Sequence, residues 1–389
     1  MQLFTARQHM QMNIVNMHIE RLSFNERLAM FEKNKQAYLS FDPAIIKEAA
    51  EPNQLIASTH AYIAAMQGKP IGFGIAADAT ASGAQLYAVL ANDQAVARDT
   101  NLTPSEEHRD FYTVAADAME IDKSRSELKD GIMPWFYGSK SKPAEAFGDI
   151  EFFMDCMKKA YLGMLRLRET LLNAWNPKKV VQSWTLPDGF STSSYEKSSS
   201  YLPITLGGDT VYIKGTTPSL EEASIKNAAN IIHSIDGYVA REVIRRASYS
   251  AQDKISILQM LRNKKRNTRG NATFDALWNL FQKTGMMSAA ILKHLEGVNP
   301  TPYQYEVIRD LVLSLPDKRF QVLVVHDSFR VLPTYANEVR RTYNRILFEI
   351  SLSTLMDSIL TDIHGEPRTF QKETGFDHLG VLNANHSLC

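Results

Sequence analysis

Asp78-Ala79-Thr80-Ala81-Ser82-Gly83-Ala84-Gln85 follows the apolar and small run of residues 71–77. A second aspartate, in Val325-His326-Asp327-Ser328-Phe329, follows the apolar run of residues 320–325. Both runs predict buried strands. An aspartate at the end of a buried strand is costly to ionise without a cation or a hydrogen-bond partner. Two of them on adjacent strands can hold the pair of magnesium ions used for in-line phosphoryl or nucleotidyl transfer. The plainer alternative is a pair of helix caps or a salt-bridged pair, since Asp is a common N-cap and Asp78 precedes a helical stretch.

Between the aspartates lies Arg125-x3-Lys129-x7-Tyr137-Gly138. Arg125 and Lys129 are four apart, so on a helix they share a face. Tyr137 lies about two turns further on. That face carries two phosphate-binding cations and then a ring, suited to a triphosphate with its sugar or base beside the aromatic. Gly138 allows close backbone approach, and Pro134 predicts a kink. Alone, such a face is an ordinary solvated cationic surface.

The aspartate with Ser82-Gly83-x-Gln85, then R-x3-K-x7-Y-G, then His326-Asp327-Ser328-Phe329, resembles the ordered motif set of the single-subunit, T-seven-type phage and mitochondrial RNA polymerases. Further matches lie between: Arg98-x-x-Asn101-Leu102, Pro104-Ser105-Glu106 with Asp110-Phe111-Tyr112, Trp184-x-x-Pro187-x-Gly189-Phe190, and His233-Ser234-x-Asp236-Gly237. Upstream, Arg21-Leu22-Ser23-Phe24-Asn25-Glu26-Arg27 is similar to the stretch leading into the first catalytic strand. The resemblance implies that Asp78, Asp327 and the Ala79 carbonyl bind two Mg2+ ions and that Arg125 and Lys129 clamp the NTP triphosphate. It also implies that Lys129 acts as general acid for pyrophosphate. Tyr137 and His233 then sense the ribose 2′-hydroxyl, with Gly83 leaving room for it; a site built to bond a hydroxyl rejects the analogue lacking it. Gly138 and Ser139 are expected at the template, and Arg98, Tyr112 and Arg21 as secondary contacts. Related DNA polymerases carry a bulky acid where Gly83 stands and a second acid where Ser328 stands.

Two departures accompany the resemblance. T-seven-type enzymes are much longer, and the chain has no Gly-Arg dipeptide, the end of their D-x-x-G-R signature. The expectation is therefore an α+β, mainly helical, right-hand palm and fingers lacking the N-terminal domain, the thumb and the first palm segment. A second, smaller subunit would supply the missing part, as in the heterodimeric polymerase of N-four-type phages, with this chain as the catalytic subunit. Secondly, residues 245–316 form an insertion that predicts helices around 255–261 and 274–281. The basic loop between them, Arg262 to Gly270, is either a template-phosphate grip or a solvated linker.

The chain has 389 residues, 44% hydrophobic and 22% charged, with net charge zero. That argues against a polybasic non-specific DNA binder but leaves room for a local cationic channel. No run reaches the 18 apolar residues of a membrane helix, and the amino terminus lacks signal-peptide features. Cys156 and Cys389 have no metal-site spacing, which fits a reducing cytoplasm, that of a bacterial host if the chain is phage-encoded.

The expected organisation is a helical module over 1–68, the first catalytic strand over 69–104, and mainly helical fingers over 105–235. The second aspartate hairpin and the insertion follow over 236–334, and a C-terminal segment over 335–389. Residues 147–175 predict one long amphipathic helix with Met154, Met157, Leu162 and Leu165 on its core stripe. Residues 191–200 predict a Ser-rich mobile loop, and 320–332 a hairpin turning at Asp327-Ser328. A helix over 336–363 buries Val339, Tyr343, Leu347 and Ile350, and the resemblance implies that the tail returns towards the site. The function expected is DNA-templated RNA synthesis, with DNA template and RNA product as partners and an accessory single-stranded-DNA or initiation factor. A DNA polymerase or primase-like enzyme, or an inactive nucleic-acid-binding scaffold, are the alternatives.

Overall fold

The computed structural model describes residues 1–117, 123–219, 224–262 and 270–389 and is a mostly helical α+β structure. Four helices open it: α1 (Ala6–His18), α2 (Phe24–Leu39), α3 (Pro43–Glu48) and α4 (Pro52–Met66). Local sequence sets their starts. Thr5 with Gln8, and Ser23 with Glu26, form capping boxes, and Pro43 and Pro52 begin α3 and α4. Ile14, Val15, Phe31, Tyr38, Leu55 and Tyr62 close a separate small core among them.

The central sheet is antiparallel in the order β1-β7-β6, from β1 (Ile75–Asp78), β6 (Leu323–Val325) and β7 (Ser328–Val331). Three expectations are corrected here. Residues 71–74 and 320–322 are not strand, and β6 is not buried: it forms the sheet edge, with Leu323 63% and Val325 50% exposed. The inner strand is β7, which buries Phe329 and Val331. The hairpin turns at His326-Asp327, one residue earlier than expected, because Ser328 already pairs with Val325 and Asp78. His326 takes φ 55° there, a left-handed position that costs a non-glycine residue roughly 1–2 kcal/mol.

Behind the sheet pack α5 (Ser82–Ala91) and, later in the chain, α16 (Ala336–Leu352), burying Leu86, Val89, Tyr343 and Leu347 in the main core. From 94 to 172 the chain is helical: α6 (Gln94–Asp99), α7 (Phe111–Asp117), α8 (Arg125–Phe136), α9 (Ser141–Phe147), α10 (Ile150–Ala160) and α11 (Leu162–Leu172). The single helix expected over 147–175 is broken at Tyr161. This residue leaves helical geometry (φ −139°, ψ 61°) so that its buried ring packs on Phe111 and its hydroxyl donates to Asp99 at 3.1 Å. Leu162, counted on the core stripe, is consequently 49% exposed, while Met157 and Leu165 are buried.

Two hairpins follow, β2 (Gln182–Thr185) with β3 (Ser191–Ser194), and β4 (Glu196–Leu206) with β5 (Asp209–Ser219). They interrupt the mainly helical stretch 105–235 and replace the expected serine-rich loop with strands. Trp184, fully buried, anchors the first; the second is an exposed ribbon. Helix α12 (Ser224–Ala247) then crosses the core.

The insertion holds α13 (Ala251–Arg262), α14 (Ala272–Thr284), a 3-10 turn (Ala289–His294) and α15 (Pro302–Ser314) around a core of its own, including Phe274, Leu277, Ile291, Ile308 and Val312. The bulk of the basic loop, 263–269, lies outside the described residues. The insertion is closed at its neck by two backbone bonds, Ala251 N to Asp317 O (2.9 Å) and Phe320 N to Ala247 O (3.0 Å). It is tied to the body by Glu242, which accepts from the Ala289 amide at 3.0 Å.

After β7 come α16, α17 (Leu355–His364) and α18 (His378–Leu382). The helix expected over 336–363 is interrupted at Ser353-Thr354; its four expected core residues are all buried. The tail returns to the sheet, where Asp78 N donates to Cys389 O (3.2 Å) and Cys389 N to Asp78 O (3.0 Å). No helix among the described residues is long and apolar enough to cross a membrane.

Candidate active site

Antiparallel pairing sets Asp78 opposite Ser328, and Ala79 N donates to Asp327 O at 3.1 Å. The two aspartates thereby reach the same end of the sheet and open into one cleft of about 330 Å³. Burial pushes the Asp78 carboxyl above its ordinary range and the Asp327 charge adds to this; the Ser328 hydroxyl, Arg330 and Arg27 offset it only in part. Asp236 on α12 faces the same charge. Burial first, then Asp327, raise it to about 6.

Opposite the aspartates stands α8. Ser124 and Glu127 form its capping box, which fixes Arg125 at the first helical position. Lys129 follows one turn later, and both line the cleft. Arg125 lies over the Tyr112 ring, with Cζ 5.3 Å from the centroid, and ion-pairs with Asp110 through Nε.

Pro134 sits in the last turn of α8, and Tyr137 caps it. Two buried side chains secure this end: Tyr87 Oη donates to Phe136 O at 2.7 Å, and Arg168 Nε to Trp135 O at 2.7 Å. They hold the Tyr137 ring 4.8 Å from the His233 ring. A Cβ on Gly83 would stand 3.0 Å from the Tyr137 hydroxyl, tighter than ordinary contact. Gly83, Tyr137 and His233 are thus brought together, from α5, α8 and α12.

The remaining expected residues are more scattered. Gly138 (φ 99°) and Ser139 turn the chain into α9 behind Tyr137 and are not among the cleft-lining residues. Arg98 pairs in a fork with Asp99 and is 55% exposed, also away from the cleft lining. Arg21 lines the cleft with φ 66° and pairs with Glu20.

Other residues at the site were not singled out from sequence. Asp110, His108, Arg109 and the 3%-exposed Arg27 line the cleft, Tyr87 and Arg168 hold α8, and Asp236 faces Asp327. Asp110, Arg27 and Asp236 did lie inside quoted motifs, which was their only signal. Gln85 is fully buried. Its amide donates to Thr80 Oγ1, Thr100 O and Ser387 O, each at 3.0 Å, and its carbonyl accepts from Tyr343 Oη at 2.7 Å. It joins the strand end to the tail.

Among the described residues no cluster of three or more His, Cys, Asp or Glu side chains could hold a metal. Two carboxylates and a carbonyl are nonetheless a hard-oxygen donor set of the kind magnesium takes together with water and substrate phosphates. The arrangement puts such a set across one cleft from two cations.

Residues 5–139 match the model of a family described as DNA-dependent RNA polymerase. The match spans Asp78, Gly83, Tyr112, Arg125, Lys129 and Tyr137 and stops before His233 and Asp327. No curated protein matches the chain. Over residues 5–139 the chain is similar to the DNA-dependent RNA polymerase family, and that similarity indicates the enzyme class of a DNA-directed RNA polymerase, a nucleotidyltransferase.

Proposed function

We propose that this chain is the catalytic subunit of a DNA-dependent RNA polymerase and adds nucleotides from NTPs to an RNA 3′-hydroxyl along a DNA template. The observation that carries the reading is the meeting, in one cleft, of Asp78 and Asp327 with Arg125, Lys129 and Tyr137. Asp78, Asp327 and the Ala79 carbonyl would hold Mg2+. Two such ions, when bound, lower the pKa of the attacking hydroxyl and offset charge on the leaving pyrophosphate.

The chain's own groups supply the rest. Arg125 and Lys129 bind the triphosphate, and Lys129 Nζ donates a proton to the departing pyrophosphate. Tyr137 and His233 present polar groups to the ribose, and Gly83 keeps the space beside the Tyr137 hydroxyl open. Tyr112 supports Arg125 from beneath. Gly138 and Ser139 face the template, and Arg98 acts from outside the cleft through Asp99. The central sheet with α5 and α16 serves as the palm and α7–α12 as the fingers.

A second polypeptide completes the palm beside β6. The exposed Leu323 and Val325 on an edge strand support this, as does an apolar groove of about 300 Å³ nearby, lined by Met10, Tyr62, Met66, Ile71 and Leu332. An accessory single-stranded-DNA or initiation factor delivers the template, and the setting is a phage-infected bacterial cytoplasm.

The test is extension of an RNA primer on single-stranded DNA with magnesium and rNTPs, by the chain alone and with co-purifying protein. Extension with rNTPs preferred over dNTPs, and weaker preference in Tyr137→Phe, is the expected result. Nucleic-acid binding without extension in either preparation would reject the reading.

A further inference from the structure

Arg125 is not held by its helix alone. Asp110, just before α7, keeps 16% of its side chain exposed against 27% for Arg125. Its Oδ1 accepts from the Tyr112 amide at 3.4 Å and its Oδ2 from Thr113 Oγ1 at 3.2 Å, so the carboxylate is fixed on its own helix end. Oδ2 also accepts from Arg125 Nε. That contact uses only Nε. Among the described residues Nη1 and Nη2 have no hydrogen-bond partner, and Arg125 lines the cleft. A guanidinium binds phosphate best through two N–H groups in a fixed fork. With Nε tied back and the Tyr112 ring beneath the plane, the remaining fork is the Nη1–Nη2 edge.

We propose that Asp110 is a positioning residue for triphosphate binding. It anchors Arg125 by Nε so that the Nη1–Nη2 edge faces the cleft, and it keeps the guanidinium from collapsing onto the carboxylates of Asp78 and Asp327, which line the same cleft. The inference rests on the reading of Arg125 as a triphosphate ligand. A long cation opposite two carboxylates would otherwise be drawn to them, and each NTP would have to break that pair.

The experiment compares D110A, D110S, D110N, R125M and the double variant D110A/R125M in primer extension, reading the rNTP KM and kcat separately. Tripolyphosphate binding to the same proteins, measured calorimetrically, gives a readout independent of turnover. D110S keeps a hydroxyl cap on α7 but cannot make the ion pair. Loss of one charge-assisted bond predicts about a tenfold rise in rNTP KM for D110A and D110S, with kcat within about threefold. D110N, which still accepts from Nε, should stay within about threefold of the parent. D110A should add less than about twofold to R125M, because the two act as one unit. Additive effects of D110A and R125M, or a parental KM in D110S, would overturn the inference while leaving Arg125 as a ligand. A parental KM and parental tripolyphosphate binding in R125M would overturn both.

Discussion

The cleft and the inserted module are built on opposite principles. The insertion, Ala251 to Leu315, draws its core from one continuous stretch of chain, with Phe274, Leu277, Ile308 and Val312 packed among themselves. The cleft draws on at least five separate segments: the start of α2, β1, the loop before α7, α8 and the β6–β7 turn. Its central groups are carboxylates and guanidinium groups, half-buried and partly uncompensated. Local packing can stabilise the first on its own. The second persists only because the core beneath it, Leu86, Tyr87, Phe329 and Tyr343, over-determines where the strands and α8 sit. If the cleft is the reacting centre, stability and chemistry fall to different parts of the molecule, and each part should break without the other.

The largest effect should come from the cleft. Asp327→Asn is expected to reduce nucleotide addition by about a thousandfold or more, the scale of losing a main electrostatic group at a reacting centre. Its melting temperature should hold or rise, because a charge that disfavours ionised Asp78 and Asp236 is gone. Primer extension and calorimetry on one preparation decide it; an active Asp327→Asn protein would break the assignment. Ile308→Ala should do the reverse. Ile308 is fully buried, so the loss should be about 2–5 kcal/mol. It should show as an early, separate calorimetric transition, with primer extension within about threefold. A single transition shifted as a whole would mean that the insertion does not fold independently.

A smaller effect is read in pH. Asp236 binds its proton more tightly folded than unfolded, with a pKa raised from 3.8 to about 6. Its unfavourable contribution is absent below about pH 4, grows as pH rises, and is complete above about pH 6. In magnesium-free buffer Asp236→Asn should therefore match the parent near pH 4 and exceed it by about 2–3 kcal/mol at pH 7. Urea titrations at both pH values test this, and equal stability at pH 7 would mean that the Asp236 carboxyl is neither desolvated nor set against Asp327 as described. Smallest is Gly83→Ala, whose new methyl meets the Tyr137 hydroxyl at 3.0 Å. The ring must yield by a few tenths of an ångström, and a rise of about tenfold in rNTP KM is expected with little change in stability. An unchanged KM would separate Gly83 from sugar recognition.

The same division governs what could be read from sequence. The cleft's main residues lie in short motifs whose residue types are demanded by charge and reach, so Asp78, Arg125, Lys129, Tyr137 and Asp327 could be named in advance. Their supports could not. Tyr87 and Arg168 act through carbonyls of another helix, and nothing in their own neighbourhood announces that. Tyr161 sits in an apolar pattern that runs on as helix; the ring's packing on Phe111 and the hydroxyl's bond to buried Asp99 explain the break. The serine-rich stretch misled because an exposed two-stranded ribbon and a polar loop share a composition, and cross-strand pairing decides between them. The apolar letters of β6 promised burial, yet its place at the sheet edge leaves them outside.

The narrow neck of the insertion has a consequence for chain entropy. Asp78 and Asp327 must meet across roughly 250 residues, and closing a loop of that length costs about 5 kcal/mol on a (3/2)RT ln n scale. Because that cost grows only logarithmically, carrying an extra ~70 residues on the path adds about 0.3 kcal/mol. The module is pinched off by the bonds at Ala247 and Ala251, so once folded it behaves as a short link rather than as slack. A body of this size can ride between the two aspartates of the cleft at almost no conformational cost, and the same geometry would let it be exchanged for a different one.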